Sequence, residues 1–166
     1  MNTLVLGLGN VLISDEGVGV HVVGALEDAY DLPGDVETLD GGTAGMDLLD
    51  TIAGRDHLIV ADAIRSDKPP ASIVKLTGDE VHAFFQSKIS PHQLGLCDLL
   101  ASLALSDEAP EQVTIVGIVP SSLDLGTELS PIVAEARDAA VEMIVDILRE
   151  NGQAPVPRRM VANGTV

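Results

Sequence analysis

Thr3-Leu4-Val5-Leu6-Gly7-Leu8-Gly9-Asn10 stands near the start of the chain, and Asp15-Glu16-Gly17-Val18-Gly19 follows closely. An apolar run of strand length breaks into a glycine loop, and the pattern then changes to helical spacing. Val18, Val22, Ala25 and Leu26 share one face of a helix expected over residues 16–30, with Asp15 suited to its N-cap. The same rhythm recurs along the chain. Residues 36–39 read as a second strand ending at Asp40-Gly41-Gly42-Thr43, and Thr43 is placed to cap a helix carrying Met46, Leu49 and Ile52. His57-Leu58-Ile59-Val60-Ala61 ends in Asp62 and contains the third strand, residues 58–61. Residues 72–76, set off by Pro69-Pro70, make a fourth, and residues 113–119, ended by Pro120, a fifth. Ser90-Pro91-His92-Gln93 opens a helix through Leu94, Leu99, Leu100 and Leu103. Ser90 caps it, proline suits the first helical position, and Gln93 completes a capping box. Ser130-Pro131 opens a last helix through Leu148, which Asn151-Gly152 stops. Short strands alternating with helices imply an α/β fold with a parallel or mostly parallel sheet covered on both faces.

The 166 residues suit a single domain, residues 1–152, followed by a loose tail, residues 153–166, whose Pro155, Pro157, Arg158 and Arg159 show no periodicity. With an apolar fraction of 46%, disorder is not the default reading. Tyr30, Phe84 and Phe85 are the only aromatic residues, so the core is built of Val, Leu, Ile and Ala, and base stacking is not expected. The net charge of −17, from 26 acidic and 9 basic residues, repels both nucleic acid and anionic membranes. With so heavy a surface charge a monomer is the simplest expectation. Cys97 is the one cysteine, which precludes an internal disulfide. Met1-Asn2-Thr3-Leu4-Val5 lacks a basic region, and Gly7 and Gly9 interrupt the run, so it reads as a strand rather than a signal peptide. No stretch reaches membrane-spanning length without charge, and the cytoplasm is the expected location.

In a parallel sheet the strand ends gather on one edge, where residues distant in sequence can meet. Three such places carry chemistry: Glu16 after the first strand, Asp62 at the end of the third, and His92 at a helix start. The dipole of its helix favours an ionised Glu16. Unpaired N–H groups near His92 disfavour imidazolium, so a neutral, metal-competent ring is expected. Glu16, Asp62 and, as a further candidate, Asp40 would crowd like charges together and raise at least one carboxyl pKa, a cost that a divalent cation removes. One imidazole and two carboxylates suit nickel, zinc, manganese or iron; calcium would want more oxygen ligands. Each residue also has a plain structural reading: dipole complementation for Glu16, turn capping for Asp62, an exposed helix start for His92. The three together favour a site. Gly7-Leu8-Gly9-Asn10-Val11-Leu12 also begins like a dinucleotide fingerprint, but Leu12 stands where the third glycine belongs, and Asp15 and Glu16 would repel a pyrophosphate. His21 reads as packing or surface, and His57 and His82 have no partner pattern. Cys97 lies about 140° around the helix from His92 and reads as a small buried hydrophobe.

Taken in order, Gly7-Leu8-Gly9-Asn10, Asp15-Glu16-Gly17-Val18-Gly19, Asp40-Gly41-Gly42-Thr43, Ala61-Asp62-Ala63 and Ser90-Pro91-His92-Gln93-Leu94-Gly95-Leu96 resemble the hydrogenase maturation proteases. Gly117-Ile118-Val119-Pro120 and Leu129-Ser130-Pro131 extend the likeness across roughly residues 2–148. The resemblance implies a three-layer αβα fold around a five-stranded, largely parallel, twisted sheet. It implies an endopeptidase that trims a C-terminal peptide from the nickel-loaded large-subunit precursor of a nickel–iron hydrogenase. Glu16, Asp62 and His92 match the family's metal-contacting residues, and Glu16 and Asp62 are the candidates for handling protons. The nickel is expected in the precursor rather than resident in the protease, and another divalent metal could substitute. Hydrolysis driven by carboxylates, the aspartic type, and hydrolysis assisted by metal both remain open. So do a non-proteolytic nickel chaperone and, more remotely, a nucleotide-binding protein.

Overall fold

The computed structural model describes residues 1–87 and 89–158. Strand β1 (Thr3–Leu8) is buried along its whole length. A 3₁₀ turn at Ser14–Gly17 leads into helix α1 (Val18–Ala29). Then come β2 (Tyr30–Asp31), β3 (Val36–Gly42), a second 3₁₀ turn at Met46–Leu48, and α2 (Leu49–Ile52). The chain continues through β4 (His57–Ala63), β5 (Ile73–Thr77), α3 (Asp79–Phe85) and α4 (Pro91–Leu105). It ends in β6 (Gln112–Ile118), α5 (Pro131–Glu150) and β7 (Val156–Pro157).

The main sheet has five strands in the order β3-β1-β4-β6-β5. β3, β1, β4 and β6 run parallel, and β5 is antiparallel on β6. The reason lies in the connection. The chain between β4 and β5 contains no helix to carry it back across a face, so β5 starts at the edge where β4 ends and runs the other way. Alternation along the central strands splits the core in two. Val5, Ile59, Ala61 and Val116 face α1 and α5. Leu4, Leu6, Leu58, Val60 and Ile115 face α2, α3 and α4. Helices therefore cover both faces, and the fold is the three-layer αβα sandwich.

Two glycines permit the close approach of α1. A Cβ on Gly19 would run into the backbone oxygens of Ala61 and Leu8. A Cβ on Gly9, whose φ is +129°, would run into the Glu16 carbonyl. The glycine loop thus lets the Glu16 turn fold back on the end of β1.

Several expectations are corrected. Asp15 is not a helix cap: Gly17 flanks α1, without a side-chain cap. Thr43 caps nothing, because the first turn of its segment is a 3₁₀ turn preceded by Gly45. Helix α3 has no counterpart in the sequence reading. The loose-tail expectation fails for residues 153–158. Gln153 is buried, accepting from Thr3 Oγ1 at 2.9 Å and donating to the Met1 carbonyl at 2.8 Å. Val156 and Pro157 pair antiparallel with Tyr30 and Asp31, and the Arg158 N–H donates to the Ala29 carbonyl. The rest of that tail, residues 159–166, lies outside the described residues. Among the described residues no helix is long and apolar enough to cross a membrane.

Candidate active site

Period-two alternation puts Asp62 on the same face of β4 as Leu58 and Val60, the face covered by α4. The start of α4 is held rigidly. Ser90 Oγ accepts from the Gln93 N–H, and Gln93 Oε1 accepts from the Ser90 N–H at 3.1 Å, the expected capping box. This turns the His92 and Gln93 side chains onto the end of β4. His92 Nε2 donates to Asp62 Oδ2 at 2.9 Å and lies 3.2 Å from Oδ1. Gln93 Nε2 donates to Asp62 Oδ2 at 2.9 Å and to the Ala63 carbonyl at 3.0 Å. The Ala63 N–H donates to Asp62 Oδ1 at 2.8 Å. On the other side of the ring, His92 Nδ1 faces Glu16 Oε1 at 3.4 Å. Ser90 Oγ lies 3.2 Å from both ring nitrogens, so it sits against the ring rather than in line with either N–H.

Glu16, Asp62 and His92 are thus brought together, from three separate segments. Asp62 and His92 are buried, and Glu16 is half-buried. Burial pushes the Glu16 carboxyl up; His92 and Arg65 pull it down and Asp62 pushes it up, with a net rise. Burial pulls the His92 imidazolium down, but the hydrogen bond and charge of Asp62 and the charge of Glu16 outweigh it, and the net shift is up. Two expectations are therefore reversed. The environment holds His92 as imidazolium more readily than a free histidine, and it resists rather than favours ionisation of Glu16. For His92 the flanking carboxylates outweigh burial, and for Glu16 burial and Asp62 outweigh the neighbouring cations. The expected elevation of at least one crowded carboxyl is present, as the push of Asp62 on Glu16.

The donor types suit a borderline divalent ion. Their aim does not: each ring nitrogen faces a different carboxylate, and among the described residues no three such side chains converge on one point. For His92 to join Glu16 and Asp62 around an ion, the ring must release one carboxylate. What the array can do as it stands is hold and pass protons between a buried carboxylate, an imidazole and a carboxyl open to solvent.

Other candidates fall away. Asp40 is exposed and accepts from the Gly42 N–H in its own turn. His57 has partners after all: Asn151 Nδ2 donates to Nδ1 at 3.0 Å, and Nε2 meets Thr114 Oγ1 at 2.8 Å. His21 is half-buried on α1. Cys97 is half-buried rather than buried, and burial with Asp98 pushes its thiol up. It lines a cavity of about 710 Å³ with His82, Phe85 and Leu100, beside the start of β6 and away from the catalytic candidates. Two residues gain roles that sequence reasoning missed. Gln93 serves Asp62 as well as the cap. Asp15, fully buried, accepts from the Ser121, Ser122 and Ser130 N–H groups at 2.8–2.9 Å and from Ser130 Oγ at 2.7 Å.

The family model described as hydrogenase maturation protease matches residues 20–147. The chain belongs to the hydrogenase maturation protease family. It is 49% identical to the hydrogenase 2 maturation protease of Escherichia coli strain K12, over 97% of this chain and 99% of that protein. It is 40% identical to the hydrogenase expression/formation protein HupD of Rhizobium leguminosarum bv. viciae, over 93% of this chain and 78% of that one. Among solved structures it is similar to the hydrogenase maturating endopeptidase HybD from E. coli, with TM-score 0.91 and 48% identity over 95% of this chain and 98% of that chain. The [NiFe] hydrogenase maturation protease HybD from Thermococcus kodakarensis gives TM-score 0.75 and 31% identity, over 89% and 99% of the two chains. The array of Glu16, Asp62 and His92 therefore sits in a maturation-protease fold.

Proposed function

We propose that this chain is the endopeptidase that removes a C-terminal peptide from the nickel-loaded large-subunit precursor of a nickel–iron hydrogenase. The observation that carries the reading is the Asp62–His92–Glu16 array at the C-terminal edge of the sheet of a maturation-protease fold. Asp62 and Glu16 are the catalytic carboxylates. Asp62 and His92, locked to each other and braced by Gln93, form the fixed part. Glu16, half-buried and with its carboxyl held up by burial, is the part that meets substrate. As the acid it donates a proton to the departing amide nitrogen, and as the base it takes one from the attacking water. The His92 imidazolium offers positive charge to the carbonyl oxygen as it becomes an oxyanion.

Nickel enters as part of the substrate. Glu16 is the first of the three groups that a substrate-borne ion would reach, with His92 and Asp62 behind it. A divalent ion there would supply Lewis-acid polarisation of the scissile carbonyl. The paired contacts of His92 favour the carboxylate-driven route, with the ion read as a mark of a loaded precursor. We place the reaction in the cytoplasm, in keeping with a single cysteine, and assign it to a monomer, in keeping with a net charge of −17.

Asp62→Asn separates the routes when cleavage and metal binding are measured apart. We expect cleavage to fall by about 10²–10⁴-fold while nickel-loaded precursor still binds. Retained cleavage would remove any essential role for this carboxylate. Precursor binding without any loss of mass, in the wild-type protein, would favour a chaperone instead.

A further inference from the structure

Ten large apolar side chains are exposed among the described residues, and seven of them lie at one edge of the molecule. They belong to segments that leave the C-terminal ends of β1, β3 and β6, or to the first turns of helices that start there. The remaining three, Met1, Leu105 and Val156, lie elsewhere. So uneven a distribution is what a binding surface produces, whereas scattered exposed apolar residues need no explanation.

These side chains form two banks. In the first, residues 10–17 are bolted to the loop after β6. Ile13 and Gly126 form a β-bridge, the Gly126 N–H donates to the Leu12 carbonyl at 3.0 Å, and the Ser14 N–H donates to the Gly126 carbonyl at 2.9 Å. Ser14 Oγ donates to the Asp124 carbonyl at 2.6 Å. The buried Asp15 carboxylate adds its four hydrogen bonds to Ser121, Ser122 and Ser130. All this backbone order serves loops whose tips are Leu12, 60% exposed, and Leu125, 89% exposed. In the second bank, Gly95 of α4 packs directly on Gly45, since a Cβ on Gly95 would meet the Gly45 Cα at 3.3 Å. That contact sets the turns bearing Leu94 and Met46 side by side, and both side chains are exposed. The first bank is continuous with Glu16 and the second with His92. The 3.4 Å contact between Glu16 and His92 is where the banks meet.

We propose that the two banks grip an extended segment of the protein substrate on either side of the reacting bond, with Leu12 and Leu125 on one side and Leu94 and Met46 on the other. This rests on the peptidase reading above. The occupant is an apolar stretch that also carries basic side chains. Asp40, Asp47, Asp124 and Glu128 are exposed on the same loops, and among the described residues the exposed cations of the neighbouring loop after β4 are Arg65 and Lys68. An extended segment is required, because hydrolysis needs chain that is locally open. Asp15 acts as the positioning residue of the first bank, fixing the loop after β6 relative to Glu16.

The test uses the full chain and the nickel-loaded large-subunit precursor of E. coli hydrogenase 2, whose protease is 49% identical to this chain. Initial rates of peptide loss, read by intact mass, are measured against precursor concentration. The variants are Leu12→Ser/Leu125→Ser and, as a control on an exposed leucine at the far end of α4, Leu105→Ser. Both change only exposed side chains, and equal melting temperatures establish that both fold. The expected result is a half-saturating concentration raised roughly tenfold or more in the double variant, with maximal rate within about twofold, and no change in the control. An unchanged half-saturation in the double variant overturns the proposal. So does an equal rise in the control. A wild-type dimer that the double variant dissolves, seen by sedimentation, assigns the surface to a second copy of the chain and also overturns it. Wild-type protein that neither binds nor cuts the precursor contradicts the peptidase reading itself, a result distinct from these.

Discussion

Asp62 is buried with donors on both of its oxygens, from Ala63, His92 and Gln93. A carboxylate so provided for is fixed in place, and its rigidity is what its partner His92 borrows. Its position was legible, because an acidic side chain ending an apolar strand has few structural excuses. The protonation preferences of Glu16 and His92 were not legible. They depend on separations of 3.4 Å and 2.9 Å between segments far apart in the chain. Asp15 was misread for the same reason. Its partners lie 106–115 residues away, and a helix cap was the only local employment visible. Burial pushes the Asp15 carboxyl up, but the hydrogen bonds from Ser122, Ser130 and Ser121 outweigh it, and the net shift is down. A carboxyl depressed on folding stabilises the protein above its unfolded pKa, and that stability is lost as pH falls through the folded value. Asp15→Asn puts an amide NH₂ against donors and is expected to cost about 2–4 kcal/mol at neutral pH. Urea unfolding of both proteins at about pH 7 and about pH 3 should show the gap narrowing in acid. A gap that is constant with pH would mean that the charge of Asp15 contributes nothing.

Among the elements, the capping box of α4 and the glycine-bounded first strand were readable because each is a local pattern with one physical solution. The direction of β5 was not readable, since a short strand carries no mark of its neighbour's orientation. Nor was α3, whose seven residues are too few for a helical stripe to stand out. The β7 pairing is two residues long and depends on where α5 delivers the chain. Helix α1 offers a paired test of why the sequence is rich in glycine. Gly19 lies against the Ala61 and Leu8 carbonyls, while a Cβ on Gly24 would meet nothing within 4 Å. Gly24→Ala should raise stability by about 0.5–1 kcal/mol through helix propensity. Gly19→Ala should lower it by about 1–3 kcal/mol and displace the Glu16 turn. Urea midpoints check the stabilities, and equal effects of the two substitutions would contradict the close packing of α1 on the sheet.

At the scale of the whole molecule, the parallel strands bring three distant segments to one edge, and the charge of −17 surrounds them. The family resemblance extended across the same segments because the spacing of motifs is the spacing of strand ends. Repulsion among so many carboxylates opposes the compact state, and salt weakens it. Raising ionic strength from about 0.01 M to about 0.15 M shortens the screening length from roughly 30 Å to roughly 8 Å. If that relieves about 1 kcal/mol, the melting temperature of a chain this size rises by about 2–4 °C, which calorimetry would detect. A fall would mean that attractive pairs dominate the surface.

The proposed function requires cleavage to be gated by nickel. Intact mass of a large-subunit precursor is measured before and after incubation with this protein, once loaded with nickel and once free of it. Loss of a single C-terminal peptide from the loaded form alone is the expected result. An unchanged mass for a loaded precursor that another maturation protease does cut would contradict it.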